Sequence, residues 1–137
     1  MEYNFTIEKG NFTGAGKASS DVKKILKQLD INPSIIKRVV VALFEAEINV
    51  VAHAESGNVY VTINDEKISM IVEDIGPGIK DIEMAMKEGY STASQKVREM
   101  GFGAGMGLPN IKKNTDDFTI TSELNKGTHL EMSVFIR

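Results

Sequence analysis

The sequence predicts an α+β domain in which helices cover one face of a mainly antiparallel sheet. Three observations carry that prediction. NVYVTI and KISMIVED form one pair of alternating runs, and DFTITSEL and THLEMSVFIR form another, each pair joined by a short polar turn. Apolar residues at helical spacing fill much of the chain ahead of the first pair. No repeat, linker or low-complexity tract divides the 137 residues, so a single domain over 1–137 is expected.

Tyr3, Phe5 and Ile7 alternate with polar residues and mark a first strand. Ala15, Ala18, Val22, Ile25, Leu26 and Leu29 then recur at helical spacing. Asn32 followed by Pro33 reads as an N-cap with proline at the first helical position. A long helix is expected from there to about Ala54, with Ile36, Val39, Val40, Leu43, Val50 and Ala54 as its apolar stripe. Glu47 falls inside that stripe, and the sequence supplies no reason for a carboxylate there. The two hairpins turn at Asn64-Asp65-Glu66 and at Asn125-Lys126-Gly127. Between them a glycine-punctuated stretch carries a short helical piece around 81–87 and a helix near Leu108–Asn114.

Composition narrows the classes. With 42% hydrophobic and 26% charged residues the chain reads as an ordinary globular protein. No apolar run approaches the roughly 20 residues of a membrane span, and the opening MEYNFTIEKGNF lacks the pattern of a signal peptide. A net charge of −3 gives no general attraction to nucleic acid, and Lys23-Lys24 and Lys112-Lys113 read as solvated helix faces. The absence of cysteine excludes disulfides and thiolate chemistry. Cytoplasmic residence is the expectation.

Three features stand out. Glu45 and Asn49 lie four residues apart on one face of the long helix. A carboxylate and an amide there suit a proton and a magnesium ion, or simply a solvated face shared with Arg38. Asp74-Ile75-Gly76-Pro77-Gly78 places a carboxylate on the apolar face of its strand, beside Ile68, Met70 and Val72. It must find partners there, and an exocyclic amine such as that of adenine would serve. Gly76 and Gly78 would admit a ligand to the backbone, although a tight turn explains the same residues. Gly103, Gly105 and Gly107 form G-x-G-x-G-L directly before a helix. Amides at a helix start suit an anion such as phosphate, and a linker is the competing reading.

The order and spacing of these features resemble the Bergerat-fold (GHKL) ATPases, shared by histidine kinases, gyrase and MutL. In that family E-x-x-x-N supplies the magnesium site, which falls on Glu45 and Asn49 in FEAEINVVAHA. D-x-G-x-G binds adenine and falls on Asp74, Gly76 and Gly78. G-x-G-x-G-L holds phosphates and falls on Gly103, Ala104, Gly105, Met106, Gly107 and Leu108. A late glycine-threonine pair falls on Gly127 and Thr128, and alternation puts Thr128 on the face of Leu130, Met132 and Val134 while His129 points away. The resemblance therefore implies a two-layer α/β sandwich with helices on one face of a mixed, mainly antiparallel sheet.

GYSTAS followed by GAGMGLPNIKKNTDDF is similar to the small bacterial anti-sigma factor and serine/threonine-kinase branch, most of all to the switch kinases of the stressosome. That branch implies ATP and Mg²⁺ as cofactors and phosphorylation of a STAS-type antagonist or scaffold protein. It also implies an anti-sigma factor, holding a sigma factor directly, as the alternative. The implied roles are Glu45 as general base, Asn49 as Mg²⁺ ligand, Asp74 and Thr128 for adenine, and the amides of 103–108 for phosphates. Residues of about 80–103 would form an ATP lid, with Lys96 or Arg98 within reach of phosphate or partner. A homodimer is compatible with all of this. A histidine-kinase catalytic domain is disfavoured, because neither His53 nor His129 sits in a phosphoacceptor context.

Overall fold

The computed structural model describes residues 1–8, 10, 14–79, 82, 86 and 107–136. The elements run β1 (Glu2–Glu8), α1 (Lys17–Gln28), α2 (Pro33–His53), β2 (Ser56–Ile63) and β3 (Lys67–Ile75), then α3 (Gly107–Lys113), β4 (Asp117–Glu123) and β5 (Gly127–Phe135). The strands form one five-stranded sheet in the order β1-β2-β3-β5-β4. The expected mainly antiparallel sheet is found, and every pairing among the described residues is antiparallel. Of the helical piece expected around 81–87, only Ile82 and Met86 are described, joined by a Met86 N–H to Ile82 carbonyl bond of 3.0 Å.

Local chemistry accounts for the element boundaries. Asn32 caps α2 by accepting the Ser34 N–H at 2.9 Å, with Pro33 at the first helical position. The β2–β3 turn closes on Asn64, whose side chain accepts the Glu66 and Lys67 N–H groups at 2.8 and 2.9 Å. Strand alternation then turns Val59, Val61, Ile68, Met70, Val72 and Leu130 inward onto the helices.

The buried surface of α2 is wider than the predicted stripe, taking in Ala42, Ala46, Ile48 and Val51 as well. The reason is its position. α2 meets the sheet with one side while α1 and α3 pack along its flanks. Leu26, Leu43, Ile111 and Met132 are fully buried where these layers meet, within one continuous core.

The same packing explains Glu47, which is only 2% exposed. Its carboxylate accepts the backbone N–H groups of Gly16, Ala18 and Ser19 at 3.0, 3.3 and 2.7 Å. These are donors at the start of α1, where the N-cap is Gly16 and no side chain of α1 does the capping. An anion from α2 therefore caps α1, satisfying donors that have no intrahelical partner. Replacing Glu47 by Ala leaves these donors buried and unpaired, and should destabilise the domain by about 3 kcal/mol in urea unfolding. Glu47→Gln, which keeps an acceptor oxygen, should cost clearly less. Equal stability of Glu47→Ala and the parent would contradict the capping role.

Candidate functional site

At the end of the sheet where β3 finishes and β5 begins, Gly57 pairs with Asp74 and Ser122 pairs with Thr128. Asp74 and Thr128 meet in the middle of this row, the Thr128 N–H donating to Asp74 Oδ1 at 3.0 Å. The approach depends on Gly127, which sits at φ 152°, and where a Cβ would collide with the Asp74 carbonyl oxygen. Asp74, on the inward face as expected, is half-buried. Burial pushes its carboxyl above the usual carboxylate range, and the Thr128 N–H offsets part of that rise.

The Gly76-Pro77-Gly78 segment is fastened to the β4–β5 turn. Gly76 N–H donates to the Lys126 carbonyl at 3.0 Å, and Asn125 N–H donates to the Pro77 carbonyl at 2.8 Å. Gly78 has φ 76°, and a Cβ there would lie 2.5 Å from the Glu123 carbonyl oxygen. Gly76 would place its Cβ 2.9 Å from Ala54 Cα. Both glycines thus have reasons within the fold, alongside the backbone access expected of them.

Ser122 is a residue that sequence reasoning missed. Its hydroxyl accepts the Ile79 N–H at 2.7 Å, lies 3.1 Å from the Gly127 carbonyl, and lies 3.0 Å from Thr128 Oγ1. It joins the segment after Gly78 to the Thr128 hydroxyl. The hairpin register, with Ser122 opposite Thr128, was the signal available for it. A groove of about 530 Å³ opens at this end of the sheet, lined by Asp74, Ser122, Gly127 and Thr128 and also by Glu73, Thr121 and His129 of the face turned away from the helices.

A second group forms between α2 and α3. Gly107 lies against the Asn49 amide, so that a Cβ would sit 3.1 Å from Nδ2 and 3.2 Å from Oδ1. One turn back along α2, Glu45 Oε1 accepts from Asn110 Nδ2 at 3.4 Å. Leu108 and Ile111 anchor α3 in the core. At the far end of this contact Arg38 pairs with Asp116 at 3.0 Å, and Asp116 also accepts the Phe135 N–H at 2.7 Å. The Phe135 N–H first, and the Arg38 bond second, hold the Asp116 carboxyl below the usual range. The structure thus brings Asp74 to Thr128 and Glu45 and Asn49 to α3, as two groups on different elements. Gly103, Ala104, Gly105 and Met106, with the expected lid residues Lys96 and Arg98, lie outside the described residues.

The histidines occupy different settings. His53 is half-buried at the end of α2, and burial lowers its pKa. His129 faces away from the helices, as alternation requires. Its Nδ1 lies 2.9 Å from Glu73 Oε1 and its Nε2 lies 3.0 Å from Glu131 Oε1. Both nitrogens donate only in the imidazolium. The Glu131 hydrogen bond, then the charges of Glu73 and Glu131, outweigh desolvation and raise its pKa. A raised pKa contributes stability that is fully present below the unfolded value of about 6.5 and lost as pH rises through the folded value. Urea midpoints at pH 6 and pH 9 should therefore fall further in the parent than in His129→Gln; identical pH dependence would contradict the clamp.

Among the described residues no group of three or more His, Cys, Asp or Glu could hold a metal ion, and no helix is long and apolar enough to cross a membrane.

A two-layer sandwich with an acid and an amide on its central helix, and a carboxylate at the end of its sheet, is the arrangement expected from the resemblance to ATPase domains. The histidine kinase-like ATPase domain model matches residues 13–134, and the chain belongs to that family. The serine/threonine-protein kinase RsbT of Bacillus subtilis is 28% identical over 119 residues, covering 84% of each chain. An anti-sigma F factor of Caldanaerobacter subterraneus subsp. tengcongensis is 30% identical over 145 residues, covering 99% of this chain and 97% of its own. The fold matches a crystal structure of the RsbU and RsbW domains of a Mycobacterium tuberculosis protein with a TM-score of 0.65 at 15% identity, over 98% of this chain and 31% of that longer one.

Proposed function

We propose that the chain is an ATP-dependent serine/threonine-protein kinase of a bacterial regulatory switch, acting in the cytoplasm on a STAS-type antagonist or scaffold protein. The observation that carries this reading is the intact acid–amide pair, with the half-buried Glu45 carboxylate held by Asn110 one turn from Asn49. Binding nucleotide alone does not call for a carboxylate at that place.

The residues present suit a nucleotide. Among the described residues only Thr128 N–H bonds the Asp74 carboxylate, through Oδ1, which leaves Oδ2 for an amine donor. Asn49 and Glu45 carry the hard oxygen atoms that Mg²⁺ prefers. Bound Mg-ATP supplies a transferable phosphoryl group whose developing charge the metal offsets. In this reading Asp74 and Thr128 would bind the adenine edge, Asn49 would hold the metal, and the amides of residues 103–108 would serve the phosphates. Glu45 takes the proton of the acceptor hydroxyl.

A second reading is favoured by the 30% identity to an anti-sigma F factor over nearly the whole chain. In it the domain is an ATP-gated binding module that holds a sigma factor, and phosphoryl transfer is secondary. Capture of the partner from the native host in Mg-ATP, followed by γ-labelled ATP, separates the two. Label on a serine or threonine of the captured protein supports the kinase. Stable capture without label supports the binding module.

A further inference from the structure

We infer that Asn110 is a positioning residue that aims the Glu45 carboxylate from the neighbouring helix, with Asn114 fixing which way the Asn110 amide points. The inference rests on the reading of Glu45 as general base. Asn114 Nδ2 donates to the Asn110 carbonyl at 2.8 Å and to Asn110 Oδ1 at 3.2 Å. With Oδ1 engaged as an acceptor, Nδ2 is the group turned toward Glu45, and it reaches Oε1 at 3.4 Å. Among the described residues no other side chain bonds the Glu45 carboxylate.

The helix geometry makes this contact more than incidental. Gly107 and Asn110 are three residues apart on α3 and share a face, while Glu45 and Asn49 are four apart on α2 and share one. Gly107 meets Asn49 and Asn110 meets Glu45, so the two helices run antiparallel at this contact. Ile111 and Leu108 bury α3 on the core, and Arg38 of α2 pairs with Asp116, three residues beyond the end of α3. The amide therefore reaches Glu45 from a support that is itself fixed. It donates to the carboxylate without competing for the proton, since an amide neither gains nor loses one near neutral pH. A general base acts only within hydrogen-bond reach of its proton, and misplacement by about 1 Å can cost on the order of 100-fold.

Two measurements test this. The first is transfer of label from γ-labelled Mg-ATP to a STAS-domain protein from the same genome by the purified parent, Asn110→Leu, Asn114→Ala and the double variant, alongside equilibrium ATP binding. Asn110→Leu should lower the maximal rate roughly 10- to 100-fold with ATP affinity and melting temperature kept. The double variant should be no slower than Asn110→Leu, because Asn114 acts only through Asn110. A parent rate in Asn110→Leu, or a loss of ATP affinity equal to the loss of rate, overturns the role. The second reads the Asn110 side-chain amide protons by NMR in the parent and in Glu45→Ala, and needs no turnover. Displacement of those resonances when the carboxylate is removed is the expected result; unchanged resonances overturn the contact. The base reading has its own arm, since Glu45→Gln at the parent rate removes it whatever Asn110 does.

Discussion

Asp74→Asn should weaken ATP binding by about 100-fold or more in dissociation constant, while the domain remains folded. The geometry sets the sign of both halves. Asp74 Oδ1 accepts the Thr128 N–H at 3.0 Å, and an asparagine keeps that bond with its own Oδ1. Doing so forces its NH₂ group into the place of the second carboxylate oxygen. An adenine amine approaching there meets a donor instead of an acceptor, and the lost charge-assisted bond becomes a conflict. Stability runs the other way. Burial raises the Asp74 pKa, so its linkage contribution is present below the unfolded value of about 3.9 and lost as pH rises through the folded one. In its ionised form the group is thus a liability to the fold, and Asp74→Asn should melt at or above the parent temperature. Normal nucleotide affinity in a folded Asp74→Asn would remove the pocket assignment.

Glu45→Gln should separate binding from chemistry. The glutamine retains an oxygen for Asn110 Nδ2, so α3 stays docked and Mg-ATP binding stays within a few-fold of the parent. What it lacks is a site for the acceptor's proton, and transfer should fall by roughly 10²- to 10⁴-fold. Rapid-quench measurement of transfer at saturating Mg-ATP checks this. Transfer at the parent rate would mean that another group takes the proton.

The features that were legible in the sequence are those whose cause is local. Asn32-Pro33 starts α2 because the cap and the proline ring act within a few residues. The hairpin turns and the inward faces of β3 and β5 follow from period-two alternation, which placed Asp74 with Thr128 and turned His129 away. Glu47 was not legible because its partners lie 28 to 31 residues earlier, at the start of a helix whose docking on α2 is a tertiary fact. Asn110 is similar, 65 residues from Glu45 and linked to it only once α3 packs on α2. Ser122 stood between these cases. Its face was readable from alternation, but its bond to Ile79 requires the segment after Gly78 to fold back across the β4–β5 turn.

The claim that unites these observations is that the γ-phosphate of ATP bound at this site passes to a protein hydroxyl. Its direct test incubates the purified chain with γ-labelled Mg-ATP and a STAS-domain protein from the same genome, with Glu45→Gln in parallel. The account predicts label on a serine or threonine of the acceptor, and none with the variant. Label that stays in ATP, or leaves only as inorganic phosphate while the acceptor remains unlabelled, would contradict it.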